Sequence, residues 1–294
     1  MGFSFRLLRV FVAVAHQESF TRAAAQLGLT QPAVSKSMRD LERRAGVALV
    51  ERGATGVRLT EPGRVLLAHA RTILAEARAA DESLNAIRGI GGGVLRIGAS
   101  PTIATYLLPA LLQRFHTRHP AVEVSLHTAP SRAVARALLE REIDIGLIEA
   151  SVPDDPRLQV ASWREDELVV IAAPSHPLAP QSPIETGALA QELIVLREPG
   201  SGTRQFVLTA LASRAIVPQR TLDADSVEAI KRIVAAGLGI SIVSRAAIED
   251  MLALRRLVVL ELTDLEITRP LRRLTVRNHR SAAVRAFVSM LTRG

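Results

Sequence analysis

The stretch FTRAAAQLGLTQPAVSKSMRDLERR, residues 20–44, decides the reading of this chain. Phe20, Ala23, Ala24 and Leu27 recur at three- and four-residue intervals, which predicts a short helix with one apolar face. Gly28 stops it, and Leu29 fills the corner before a second helix. Thr30 is placed to cap that helix, and Pro32 sits in its first turn, where a missing N–H costs little. Val34, Met38, Leu41 and Ala45 form a buried stripe, which turns Gln31, Ser35, Lys36 and Arg39 outward. A helix–turn–helix with such a face fits the DNA major groove. There Gln bonds adenine edges, Lys and Arg bond guanine edges or phosphates, and Ser bonds either. An αα-corner with a solvated polar face has the same pattern, so the flanking sequence must separate the two.

Residues 47–63, VALVERGATGVRLTEPG, come directly after it. Val47, Leu49, Val57 and Leu59 are strand-like around a turn at Gly53–Gly56, a hairpin wing with Arg52 and Arg58 able to reach the minor groove or phosphates. In front, residues 4–17 place Phe5, Leu8, Phe11, Val12 and Ala15 on one helical face. The whole run, with SFTRAA, LTQPAVS, the Leu41-Glu42 pair, Arg52 and VRLTEPG in order, resembles the winged helix–turn–helix of LysR-type transcriptional regulators. The resemblance continues to the C-terminus. Two positions depart from the family's habit: Val50 stands where Phe often follows the wing-entry leucine, and Thr55 where a second basic residue is frequent. The resemblance implies a DNA-binding set of Thr30, Gln31, Pro32, Ser35, Lys36, Arg39 and Arg52, with the wing's grip resting mainly on Arg52.

Charge agrees with this polarity. The 294 residues carry a net +8, and residues 1–90 hold 13 Arg or Lys against 8 Asp or Glu, so positive charge is denser at the N-terminal end. Only two lysines occur, Lys36 and Lys231. The absence of cysteine excludes disulfides, thiolate metal sites and a cysteine nucleophile, and fits a cytoplasmic location. Arg6, an apolar run and Ala13-Val14-Ala15 mimic a short signal peptide, but Arg9 interrupts the run and the helical reading is favoured. No apolar stretch reaches membrane-spanning length.

Three parts are expected: a winged helix–turn–helix at 1–61, a linker helix and hinge at 62–90, and a two-lobed α/β domain at 91–294. In the linker, Leu66, Ala70, Ile73, Ala77, Ala80, Leu84 and Ile87 step alternately by four and three, a heptad seam for pairing with a second copy. Gly89 and Gly91-Gly92-Gly93 then read as a hinge. Strand candidates at 94–99, 122–128, 143–148, 167–173, 193–197, 239–244, 257–262 and 271–277 alternate with helices at 102–118, 131–141, 203–214, 226–236, 245–253 and 281–292. Such alternation implies parallel-rich sheets, with chain switching near 162–166 and 264–270.

The family resemblance implies two lobes, about 91–162 plus 267–294 and 163–266, arranged like a periplasmic solute-binding protein with an effector cleft between them. Helix starts behind Ser100-Pro101-Thr102 and Gly200-Ser201-Gly202-Thr203 attract anions through free N–H groups and hydroxyls, although both can be plain caps. Convergence of Ser100, Thr102, Ser131, Glu149, Ser201, Thr203 and Ser226 on one cleft is what the resemblance adds. Glu149 would repel part of an all-anionic ligand, which favours one with an anionic end and a hydroxyl or amine. Arg204 is either a ligand anchor or a surface arginine.

Catalytic patterns are missing. His116 and His119 lack a third ligand, Gly200-Ser201-Gly202 is too short for a nucleophile elbow, and Gly237-Leu238-Gly239 lacks a third glycine. The reading is a non-enzymatic, sequence-specific DNA-binding regulator that needs no cofactor or metal and responds to a small anionic metabolite. It is a dimer through the linker helix and a homotetramer by resemblance. The alternative is a solute-binding protein or enzyme on a two-lobed scaffold.

Overall fold

Side-chain caps fix where the first helices begin. In the computed structural model, which describes residues 3–53, 56–87, 92–277 and 281–292, Ser4, Ser19 and Thr30 each accept from a backbone N–H in the first turn of the helix they precede. The helices are α1 (Phe5–Gln17), α2 (Phe20–Leu27) and α3 (Gln31–Ala45). Gly28 ends α2 with φ 63°, a left-handed turn that a Cβ would strain. Strands β1 (Val50–Gly53) and β2 (Gly56–Leu59) form the antiparallel wing, with Glu51 opposite Arg58. Glu42 of α3 accepts from the amides of Leu49 and Val50, which ties the wing's entry to α3. Leu8, Phe11, Val14, Ala23, Val34, Met38 and Leu41 are buried together. Each large member contributes about 1.5–3 kcal/mol on leaving water.

Helix α4 (Glu61–Ile87) divides its apolar surface. Ala70 and Leu74 are buried in the core shared with α1, whereas Val65, Ile73 and Leu84 are 54%, 41% and 54% exposed. The seam expected from the sequence is therefore corrected: its member Ala70 packs inward, and Leu74, outside the seam, is the larger inward anchor. The side chain of Ile87 and the glycines Gly89 and Gly91 lie outside the described residues. Among the described residues, no helix is long and apolar enough to cross a membrane.

The chain divides into two compact units, the first built on Met1–Gly92 and the second on most of residues 93–294. The second is organised around one hydrogen-bonded sheet. Its strands are β3 (Gly93–Ala99), β4 (Val122–Thr128), β5 (Ile145–Ile148), β6 (Leu158–Ala172), β7 (Leu193–Arg197), β8 (Arg220–Ala224), β9 (Ile240–Ser244), β10 (Val258–Leu260) and β11 (Ile267–Val276). The order is β4-β3-β5-β11-β6-β9-β7-β8, with β10 also on β6. Helices α5 (Leu108–Arg118) and α6 (Ser131–Leu139) carry the parallel crossovers among β3, β4 and β5; α7 (Gly202–Ala212) and α8 (Val227–Ala235) do so for β7, β8 and β9. Short α9 (Glu249–Ala253) and α10 (Ala282–Leu291) complete the unit.

Two sets of cores define two lobes. One gathers Leu95, Phe115, Ile145, Leu271 and Phe287, the other Leu168, Ile194, Val207, Ile240 and Ile267. The long antiparallel strands β6 and β11 run through both, and their register shifts between Leu271 and Arg272, which leaves Trp163 without a partner residue. Apolar patterning predicts strands only at 167–173 and 271–277 and misses these longer spans, because the polar run around Arg164, Glu165 and Asp166 carries little apolar signal. It also misses β8. The helix expected at 102–118 is interrupted: Ile103–Leu107 is a π-helical turn, and α5 restarts with Pro109 in its first turn.

Candidate DNA interface and ligand cleft

On α3, Gln31, Pro32, Lys36 and Arg39 are exposed, and Thr30, also exposed, caps Ala33 through its hydroxyl. Lys36 and Arg39 enter no ion pair among the described residues, while neighbouring Arg43 pairs with Asp40. Both cations are therefore free of ion-pair partners among the described residues and available to phosphate or guanine. Ser35 departs from its expected outward position. It is 6% exposed and accepts from Gln31 Nε2 at 3.0 Å. Ser35 precedes Met38 by three residues and so stands on the rim of the buried stripe, a relation already visible in the spacing. Backbone pairing sets Arg52 opposite Val57 in the wing; its side chain and Thr55 lie outside the described residues.

The residues expected in the cleft separate into groups. Ser131 and Ser201 line one cavity of about 550 Å³, together with Arg132, Ser151, Gly202 and Arg204. Helices α6 and α7, one from each lobe, both begin at its wall, so two positive helix ends meet there. Ser131 Oγ accepts from the Ala150 amide at 3.3 Å. Ser201 is 9% exposed and, although it precedes α7, makes no capping bond. The Ser201 hydroxyl thus leaves the first amides of α7 uncapped. Arg204 donates to the Arg197 carbonyl and pairs with Asp223, so part of its charge is already engaged. Exposed Arg132 enters no ion pair among the described residues.

Glu149 and Thr203 are held elsewhere. Glu149 is 3% exposed, accepts from Thr203 Oγ1 at 3.2 Å and lies 3.1 Å from Arg269 Nη2. Arg269 is 1% exposed and donates to Asp166 at 2.8 Å and to Thr203 Oγ1 at 2.7 Å. Ser244 Oγ donates to the other Asp166 oxygen at 2.7 Å. One guanidinium thus stands between two carboxylates in a buried hub spanning both lobes. Glu149 is accordingly not a free negative wall, and its charge gives no reason to expect an amine on the ligand. Ser100 and Thr102 are buried at 1% and 2% and do not line the cavity. Among the described residues, the Ser100 hydroxyl has no hydrogen-bond partner. Ser226 is exposed and caps α8 instead of joining the cavity.

Sequence reasoning missed Asp166, Arg269 and Arg132. Arg269 had a legible signal, since it alternates with Ile267 and Leu271 on the inward face of one strand. Gly202 marks how closely the lobes approach: a Cβ there would meet the Ala150 Cβ at 2.7 Å.

Residues 5–64 match the model described as "Bacterial regulatory helix-turn-helix protein, lysR family", and residues 89–294 match "LysR substrate binding domain". A curated relative, the "RuBisCO operon transcriptional regulator" of Allochromatium vinosum, is 38% identical over 89% of this chain and 86% of its own. Full-length CbnR solved with its target DNA superposes with a TM-score of 0.68 at 26% identity, covering 99% of both chains. The regulatory domain of Synechocystis PCC6803 CcmR in complex with 2-PG gives a TM-score of 0.61 at 30% identity, over 68% of this chain and 95% of that one.

Proposed function

This chain belongs to the LysR family, as a DNA-binding transcription regulator that responds to a metabolite, and we propose that the metabolite is a small organic anion held between the lobes. The carrying observation is the cavity on which α6 and α7 both begin, with the unpaired Arg132 and the uncapping Ser201 on its wall. An anion there draws on amides and a hydroxyl from both lobes, so binding couples to lobe closure. We assign base reading to Gln31, with Lys36 and Arg39 on guanine or phosphate, Thr30 and Pro32 shaping the start of α3, and Arg52 on the backbone or minor groove. Subunits pair through the exposed apolar face of α4, two such pairs form a tetramer, and the protein works in the cytoplasm.

The reading is tested by thermal shift of the full-length protein against 2-PG, inorganic phosphate, small dicarboxylates and neutral apolar compounds. An organic anion is expected to raise the melting temperature, and Arg132→Gln and Ser201→Ala are expected to weaken that response. Stabilisation by neutral apolar compounds alone, or an anion response unchanged in both variants, overturns it. A promoter of a RuBisCO operon is the first operator to offer, since a curated relative is named for that operon.

A further inference from the structure

Apart from the cavity and the hub, the lobes meet through a side chain that no sequence motif singled out. Tyr106 is the chain's single tyrosine. It stands in the π-helical turn Ile103–Leu107 of the first lobe, a geometry frequent at functional sites. Its hydroxyl donates to Glu228 Oε1 of α8, in the second lobe, at 2.6 Å. The same oxygen lies 2.7 Å from Lys231 Nζ. Lys231 is fully buried; its ammonium donates to the Ala247 carbonyl at 2.7 Å and to Asp250 at 3.3 Å. It also sits 5.1 Å from the centre of the Tyr106 ring, within cation–π range.

We propose that Tyr106 is a reversible clasp between the lobes, a positioning residue that sets the resting balance of closed and open clefts whatever ligand the cavity takes. The division of partners makes it reversible. Lys231, Glu228, Asp250 and Ala247 all belong to the second lobe, so withdrawal of Tyr106 leaves the ammonium fully paired. Release of the Tyr106 contact therefore strands no buried charge, the event that makes broken internal ion pairs costly. What is lost is one charge-assisted hydrogen bond and one cation–π contact. Glu228 is also in the first turn of α8, where the helix dipole favours a carboxylate. Burial and the bond to Glu228 push the Tyr106 phenol well above its ordinary range, so it stays a donor at neutral pH. Burial opposes the Glu228 charge, but the bonds from Lys231 and Tyr106 outweigh it and hold the carboxyl below its usual value. The hub around Arg269 differs, because its charges come from both lobes.

The chain has no cysteine, so Thr117→Cys in α5 and Ala212→Cys at the end of α7 give two exposed labelling sites, one per lobe. Pulsed electron paramagnetic resonance on full-length protein, with spin-labelled chains diluted by unlabelled ones, reads the distance between them. One short distance is expected to dominate. Tyr106→Phe, which keeps the ring and loses only the hydroxyl, is expected to add a longer distance, with the open-to-closed ratio raised about tenfold. Its thermal midpoint is expected to match the parent's. Glu228→Gln keeps an acceptor without charge and is expected to raise the ratio less. Identical distance distributions in the parent and Tyr106→Phe overturn the clasp, as does a lowered midpoint with no change in distance.

Discussion

Gln31 and Ser35 show how one turn of helix separates reading from support. Gln31 is exposed and its amide is steered by the Ser35 hydroxyl, which is itself covered. Gln31→Ala is expected to cost about 1–3 kcal/mol on the true operator and much less on random DNA. Ser35→Ala is expected to cost no more than about 1 kcal/mol, because it removes a neutral hydrogen bond and no base contact. Titrations of both DNAs at fixed salt check the pair; equal losses on both sequences would show that Gln31 does not read bases. Arg269 is the opposite case, a residue whose value lies in what it neutralises. Arg269→Met leaves Glu149 and Asp166 facing each other without a cation and is expected to destabilise the fold by roughly 3–5 kcal/mol. Adding Glu149→Gln is expected to recover part of that loss in denaturant unfolding.

At the scale of elements, α4 serves two surfaces. Leu74 anchors it to the core of the first unit, and Leu74→Ala is expected to cost about 2–5 kcal/mol of stability. Ile73 and Leu84 face outward, so Ile73→Asp with Leu84→Asp is expected to spare the melting temperature while yielding monomers that bind the operator poorly. Sedimentation velocity checks this, and intact oligomers would remove the pairing role of α4. The short 3-10 helix Thr186–Gln191 depends on a distant carboxylate: both the Thr186 amide and hydroxyl donate to Asp264 Oδ1, at 2.8 and 2.7 Å. Those bonds hold the Asp264 carboxyl below its ordinary value. A depressed carboxyl contributes stability above the unfolded-state value and loses it as pH falls through the folded one. Stability is therefore expected to fall as the pH drops below the ordinary aspartate range of about 4, and to fall less in Asp264→Asn.

The second unit as a whole is a hinge with contacts on either side of it. Strands β6 and β11 connect the lobes, and their register carries a bulge at Trp163. Gly202 lets α7 approach Ala150 to within a distance that no side chain would allow. Gly202→Ala is expected to wedge the lobes apart, abolishing the response to an anionic effector while effector-free operator binding persists. Trp163, the chain's single tryptophan, offers the reporter. Its emission is expected to shift in this variant and to stop responding to added anion, and a wild-type fluorescence response would disprove the close approach of the lobes at Gly202.

Local sequence determined the helix–turn–helix, its caps and the glycine that ends α2, because those features depend on residues within one turn of each other. The alternation of strands and helices from Gly93 onward was legible for the same reason, since period and turn chemistry are short-range. Tertiary structure alone decided which polar residues meet. Glu149, Asp166, Thr203 and Arg269 are separated by up to 120 positions, and only the adjacency of β5, β11 and β6 brings one guanidinium between two carboxylates. Likewise Ser201 faces a cavity while Thr203, two residues on, is sealed in the hub, because successive residues at the start of a helix point about 100° apart. Which side of α4 packs inward was equally beyond the heptad pattern. An apolar stripe records that a surface must be covered, and the physical identity of the cover is set by whatever element the fold lays against it.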